Sequence, residues 1–312
     1  MAEPVDPVAS APGDPVELAL RTARWRVLVE EREAQVARLA GTAAVAAAAP
    51  GGPALPATSG HWDVRAEAFD ACSRAHDLGR DPLHRLLLRA VTGRRLLDVG
   101  AGTGRYAAPL ATVAATVTAL EPSAGMRARL VARLAEEGTA NVRVLAGAWP
   151  EAAATVGSHD VVLASHVIYG TRDVAQFLDA LEAAAPMRVV AIRVQPIGAQ
   201  LAPLFCRVHG EPPVPEPTLD ALLAVLLARG ALPRLRIGPF GDGGGFAGPA
   251  AAEAWASEQL RLQPGDPRRS GLWEQVRPLL MESARGWRWR QPLHTGIVSW
   301  GAAADRPPGA TP

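Results

Sequence analysis

The sequence predicts an α/β fold: a Rossmann-like doubly wound sheet, mostly parallel with an antiparallel C-terminal strand, and helices on both faces. Three observations lead there. Between residues 94 and 194, short β-branched and aliphatic runs alternate with stretches of helical spacing. Such alternation builds a parallel sheet through right-handed crossovers. A glycine-rich turn follows the first of those runs, and a last apolar run at 294–300 stands outside the alternation.

The elements follow in order. Residues 1–14 are rich in Pro and Ala, a composition that does not pack. "PVELALRTARWRVLVEEREAQVARLA" (15–40) carries apolar residues at helical spacing, and "GTAAVAAAAPGGPALPATSG" (41–60) is an Ala/Gly/Pro linker. Residues 1–60 are therefore expected to be a disordered and helical extension. Its helix 15–40 would be a mobile arm, or would contact a partner or a second copy. Residues 61–300 form the main domain, and 301–312 a disordered tail. The segment 61–91 predicts two helices. Strands are expected at 94–99, 115–120, 142–146, 160–165 and 188–194, separated by helices at 105–114, 123–138 and 173–185. After residue 195 the alternation fails. "QPIGAQLAPLFCRVHGEPPVPEP" reads as irregular, followed by a helix at "TLDALLAVLLARG", a strand "PRLRIG", a glycine loop "GDGGG", two more helices and the strand "HTGIVSW". The last strands are expected to pair antiparallel at one sheet edge.

Composition excludes several chemistries. All 32 basic residues are arginine, so neither a Schiff-base lysine nor a P-loop lysine exists. A net charge of +1 gives no field drawing the chain to nucleic acid or an anionic membrane. Cys72 and Cys206 lie far apart in unlike contexts, forming neither a metal-ligand spacing nor a disulfide framework. No metal is expected. The longest apolar run, 43–49, is too short to span a bilayer, and the first ten residues lack the pattern of a signal peptide. The expectation is a cytoplasmic protein with no membrane partner.

The turn "LLDVGAGTGRY" (96–106) places Asp98, Gly100, Gly102 and Gly104 at every second position. In open α/β sheets ligands bind at the carboxyl ends of the strands, at such a turn. The dinucleotide fingerprint G-x-G-x-x-G differs: here the third glycine comes one residue early and a carboxylate precedes the first. A carboxylate repels a pyrophosphate but stabilises a ligand bearing an ammonium and a sulfonium, as S-adenosylmethionine does. Glu121, 23 residues after Asp98 and ending the second strand, suits the ribose hydroxyls of any nucleoside.

These segments, with "VTALEPSAGM", "VRVLAGAWPEA" and "HDVVLASHVIYG", resemble the class I S-adenosylmethionine-dependent methyltransferases over about residues 60–200 and more loosely to 300. The resemblance implies a seven-stranded sheet with an antiparallel final strand. It implies that Asp98, Gly100, Ala101, Gly102 and Gly104 hold the methionine part of the cofactor, and that Glu121 and Pro122 flank the ribose. Met126 lies where the family covers the adenine. Ala148 and Trp149 replace an aspartate that many members direct at the adenine amine, leaving a backbone amide and Trp149 stacking to hold it. Ser165 and His166 fall beside the reaction centre, and Phe69, with Asp70, where the family closes over the cofactor. For Met126, Trp149 and Phe69 the plainer alternative is core packing; for the glycines it is a tight turn in another Rossmann-like enzyme. The family builds its acceptor lid in the regions corresponding to about 195–232 and 240–285.

The implied reaction is methyl transfer to a small-molecule acceptor by in-line displacement, with His166 as a base and Tyr169 orienting the acceptor. A structural histidine is the alternative. Arg207 and His209 could meet an anionic or phenolic substrate, or simply face solvent. No nucleic-acid partner is expected: "SHVIYG" is not the Asn/Asp-Pro-Pro-aromatic motif of amino-methylating enzymes, and neither cysteine follows a proline. "RGWRWRQ" (285–291) is the one Arg/Trp-interleaved stretch and alternates like a strand. Two other readings stay open at this point: a catalytically idle cofactor-binding partner protein, and an NAD-dependent oxidoreductase.

Overall fold

A computed structural model describes residues 13–44, 62–239, 245–283 and 286–301. The expectations for 1–12, for the linker from 45 to 60 and for the tail from 302 onward lie outside the described residues, as does most of the glycine loop at 241–245.

The helices begin where the sequence supplies caps. In α1 (Pro15–Ala44), Asp14 accepts from the amides of Val16 and Glu17, with Pro15 in the first turn. After α2 (Ala66–Ala75), Asp81 caps α3 (Pro82–Val91) through the Leu83 amide at 2.8 Å. The alternation then runs β1 (Arg95–Val99), α4 (Ala107–Leu110), β2 (Thr116–Glu121), α5 (Ala124–Glu136), β3 (Val142–Ala146), α6 (Ala153–Val156), β4 (Val161–Ser165), α7 (Val174–Ala184) and β5 (Met187–Arg193). Ser123 caps α5 and Asp173 caps α7. Beyond β5 come α8 (Ala202–His209), α9 (Leu219–Ala228), β6 (Arg234–Pro239), α10 (Pro249–Gln259), α11 (Leu272–Val276), β7 (Leu280–Ser283), β8 (Gly286–Trp289) and β9 (His294–Trp300).

Seven strands form one sheet in the order β3-β2-β1-β4-β5-β9-β6. The five from β3 to β5 are mutually parallel, and β9 is antiparallel to both its neighbours. The expected antiparallel pair is β9 with β6. It is β6 that forms the edge, while β9 lies inside the sheet. Alternate residues of each central strand enter different cores. Leu97, Val162, Val190 and Val298 pack with Phe177, Leu178 and Leu222 on one face. Leu96, Val161, Val189 and Ile297 pack with Leu87, Leu110 and Leu130 on the other. Both faces are covered, so these strands have few polar positions.

Two features differ from the sequence expectations, and a third, the Arg/Trp-interleaved stretch, is the strand that its alternation suggested. The helix set at 15–40 runs to Ala44, and it is no detached arm. Its apolar stripe is buried on α7 and α9 of the same chain: Trp25 is 1% exposed in the core and donates its indole N–H to the Thr171 carbonyl at 2.8 Å. Further along, Gln35 donates to the Pro212 carbonyl and accepts from the Val214 amide, both at 2.8 Å. The stretch read as irregular holds α8, opened by Pro203, buried through Leu204 and Phe205, and stopped by Gly210 at φ 73°. Eight residues between prolines show too few turns to display a period. The Arg/Trp-interleaved stretch is β8, paired with β7 in a hairpin apart from the main sheet. There Trp289 joins Phe246, Trp255, Phe205 and Leu260 in a third core beneath α8, α10 and α11.

Replacing Trp25 by Ala should destabilise the chain by about 3–5 kcal/mol, the usual cost of emptying a large buried aromatic site. Denaturant unfolding reads it; an unchanged midpoint would mean that α1 does not belong to the core.

Candidate active site

The carboxyl ends of β1, β2, β3 and β4 lie side by side in the sheet, and the order reverses between β1 and β4. The glycine turn leaves β1 there. The amides of Gly100 and Ala101 both donate to the Leu120 carbonyl, at 2.8 and 3.1 Å, and Gly104 donates to Ala101 at 3.0 Å. Gly100 sits at φ 70°, and a Cβ on it would lie 2.3 Å from a methyl of Val167. A side chain is therefore excluded both by conformation and by space. Gly102, at φ 58°, lies under the edge of the Phe69 ring, which also carries the Arg105 guanidinium 5.2 Å from its centroid.

Two buried carboxylates meet at this turn. Glu121, 5% exposed, accepts from the amides of Gly102 and Ser123, both at 2.8 Å, and so clasps the first turn to the second. Burial raises its pKa while those two amides oppose the rise. Asp98 is 2% exposed, and among the described residues its Oδ2 has no hydrogen-bond partner. Burial, and then the charge of Glu121, push Asp98 up to about 7, against the Ala107 amide at the start of α4. A buried carboxylate oxygen without a donor calls for a cation.

Around these groups the other expected residues are distributed unevenly. Pro122 follows the clasp, and Arg127 donates to the Glu121 and Pro122 carbonyls at 2.7 Å each. Met126 is 3% exposed, on the first turn of α5. Ala148 is exposed; Trp149 is half-buried against the core of α7, with its N–H donated to the Phe177 carbonyl at 3.2 Å, so only its ring face is left for stacking. Ser165 ends β4, half-buried. His166 follows in the left-handed region at φ 58°, uncommon for a residue with a Cβ and typical of functional turns.

His166 and Tyr169 do come together. The Tyr169 oxygen lies 2.7 Å from Nδ1 of His166, and it accepts the Arg193 amide at 2.9 Å. Nε2 of His166 lies 3.5 Å from the Thr295 hydroxyl. Burial holds the His166 pKa well below its usual range, helped by the charges of Arg193 and Arg105. The imidazole is neutral at physiological pH.

Several residues here escaped sequence reasoning. Arg193, at the carboxyl end of β5, lays its guanidinium 4.2 Å from the Tyr169 ring centroid and binds Glu216 at 2.7 Å. A charged residue closing a strand whose middle, 189–192, is apolar was its only signal. Asp63 accepts from the Ser123 hydroxyl at 2.5 Å and from the Gly125 amide at 2.8 Å, tying the segment before α2 to α5. Asp81 collects His76, Tyr106 and the Leu83 amide, fixing α3 beside the glycine turn. By contrast Arg207 is exposed, and His209 lies against Phe205 with its Nε2 at 2.8 Å from the Leu260 carbonyl. His209 packs the third core.

Residues 69–201 match a family described as "Methyltransferase domain". The matched part holds the glycine turn, the acid clasp and His166. No curated protein sequence matches the chain. Similar solved structures include a putative methyltransferase from Bacillus halodurans, 13% identical, covering 70% of this chain and 98% of its own, with a TM-score of 0.47. Another is a SAM-dependent methyltransferase from Aquifex aeolicus, 16% identical, covering 77% and 98%, with a TM-score of 0.44. Magnesium protoporphyrin IX methyltransferase from Synechocystis, crystallised with S-adenosylhomocysteine, is 12% identical, covering 77% and 83%, at 0.43.

Two measurements check the electrostatics. The folded pKa of Asp98 lies near 7, above its ordinary 3.8, so folding favours its protonated form and ionisation costs stability as pH climbs from about 4 through 7. Asp98→Asn should therefore raise the unfolding midpoint of the unliganded chain at pH 8 and leave it nearly unchanged at pH 4. The gain is bounded by about 4 kcal/mol for a three-unit shift; equal midpoints at pH 8 would show that Asp98 is not buried in this way. The ring nitrogen shifts of His166 in NMR should be those of a neutral imidazole at about pH 6.5, where an ordinary histidine is half protonated, and an imidazolium signal there would contradict the arrangement.

Proposed function

We propose that the domain transfers a methyl group from S-adenosylmethionine to a small-molecule acceptor. One observation carries the reading: the unpartnered Oδ2 of buried Asp98 at the glycine turn. An ammonium placed there would satisfy it, whereas a pyrophosphate would be repelled. The residues fit the cofactor in other respects. Both Glu121 oxygens retain lone pairs for ribose hydroxyls after accepting one amide each. Phe69 and Trp149 offer ring faces, Met126 an apolar wall, and Gly100, Ala101, Gly102 and Gly104 a backbone without obstructing side chains.

When bound, the cofactor supplies a methyl group on a sulfonium whose departure needs no acid. The chain's own contribution is then alignment and exclusion of water. His166 is fixed by Tyr169 and stays neutral, able to take a hydrogen bond or a proton from an acceptor hydroxyl. Arg193 and Arg105, which keep that imidazole neutral, also favour an acceptor that ionises. Tyr169 acts as the positioning residue, its oxygen held by the Arg193 amide. The third core around α8, α10 and the β7–β8 hairpin would close over the acceptor. A near-neutral chain without a basic patch favours a small acceptor over nucleic acid. None of the described helices is long and apolar enough to cross a membrane. Two unpaired cysteines accord with a reducing cytoplasm.

Titration with S-adenosylhomocysteine tests the reading. Ligand ammonium lowers the Asp98 pKa from about 7, so binding should release close to one proton at pH 6 and almost none at pH 8. Affinity should rise between pH 5.5 and 7 and then level off. Asp98→Asn should bind roughly 10- to 100-fold more weakly, with the pH dependence gone. Calorimetry in buffers of different ionisation enthalpy separates the protons; a chain that binds NADH and not S-adenosylhomocysteine would be an oxidoreductase instead.

A further inference from the structure

Beneath α1 lies a cavity of about 300 Å³, large enough for one or two rings. Its walls come from distant parts of the chain: Arg32 and Leu39 of α1, Ile197 after β5, Phe205 of α8, Glu216 before α9, and Arg261 after α10. Most of the lining is apolar, and among the described residues Glu216 is its only acid. That carboxylate, 3% exposed, is already engaged. It accepts from Arg193 at 2.7 Å and from the Ile197 amide at 3.1 Å, and Arg32 stands 3.6 Å away. Arg261 is left over. Its guanidinium makes no hydrogen bond or ion pair among the described residues, and the neighbouring Glu258 is bound to Arg65 at 2.7 Å. Burial, and then the adjacent charge of Arg32, hold the Arg261 pKa below its ordinary value. The backbone there is also left-handed, at φ 55°.

We propose that this cavity binds a small apolar carboxylate, with the acid group set between Arg261 and Arg32. The assignment deepens the methyltransferase reading and rests on it: the carboxylate is the anchoring part of the methyl acceptor. One acid facing Arg32, Arg193 and Arg261 leaves surplus positive charge in a setting of low dielectric. A neutral ligand would leave that charge unanswered, whereas a carboxylate answers it with charge-assisted hydrogen bonds. The cavity also shares a wall with the reacting end of the site. Glu216 holds Arg193, Arg193 covers the Tyr169 ring, and Tyr169 meets His166.

Calorimetric titration of the full chain with 1-naphthoate and with 1-naphthamide, each with and without S-adenosylhomocysteine, tests this. Naphthoate should bind one to one and at least about tenfold more tightly than the uncharged amide. Arg261→Asn, a residue that tolerates positive φ, should abolish the preference. Arg261→Lys should keep part of it, which guards against a purely structural effect. Equal affinities, no binding of either probe, or a preference intact in Arg261→Asn would overturn the proposal. Failure of S-adenosylhomocysteine to bind while naphthoate still binds would strike the methyltransferase reading and the acceptor role, and leave the anion site standing.

Discussion

At the end of the central strand a carboxylate is buried with one oxygen unsatisfied, and much of the surrounding structure is arranged to hold it so. Asp98 cannot turn away, because β1 is hydrogen-bonded on both sides and its neighbours Leu96, Leu97 and Val99 lie in the two cores. Nor can the neighbouring turn collapse onto it. Glu121 draws the Gly102 amide toward β2, and Val167 fills the space on the far side of Gly100. Two acids side by side in an apolar setting are unfavourable in isolation. The fold tolerates one by giving it amide donors, and leaves the other with an oxygen unsatisfied among the described residues.

The second organising element is α1. It carries Trp25 into the same core that α7 and α9 build, and further along brings Arg32, Gln35 and Leu39 against the segments after β5 and before α9. A helix from before the α/β alternation thereby becomes a wall facing residues after it. The apolar part of this contact fixes the helix. The polar part, through Glu216, reaches Arg193 and the His166–Tyr169 pair. Packing and site chemistry are here joined in one helix.

The main sheet was legible in the sequence because its strands are buried on both faces, and such strands announce themselves as continuous apolar runs. β3 and β9 fall on the expected residues, and the others shift by a residue or so. The placement of Asp98, the glycines and Glu121 at strand ends was legible for a related reason: spacing records position along the chain. What was not legible depends on contacts across the chain. Nothing near Arg261 in sequence indicates that it meets Arg32, and nothing near Trp25 points to Thr171. The stripe on α1 was visible, but a stripe alone does not say whether its partner is another molecule or the same one. For Arg207 and His209 the sequence left substrate contact and solvent open; both lie on α8, Arg207 at the surface and His209 against Phe205. Trp149 lies between these cases, because its indole N–H is taken by a backbone carbonyl that spacing could not identify.

The Trp25–Thr171 bond spans 146 residues, and this separation has a consequence for how the protein is made. α1 emerges early from the ribosome, yet α7 and α9, on which its apolar stripe rests, come far later. At about 5–20 residues per second the interval is roughly 7–30 s. Throughout that time the helix must wait with its tryptophan face uncovered or borrow a temporary cover. The cavity beneath it waits longer still, because Arg261 is translated after both of those helices. The sheet itself is completed last, because β9, which lies inside it between β5 and β6 and brings Ile297 and Val298 into the two cores, is translated after Arg261.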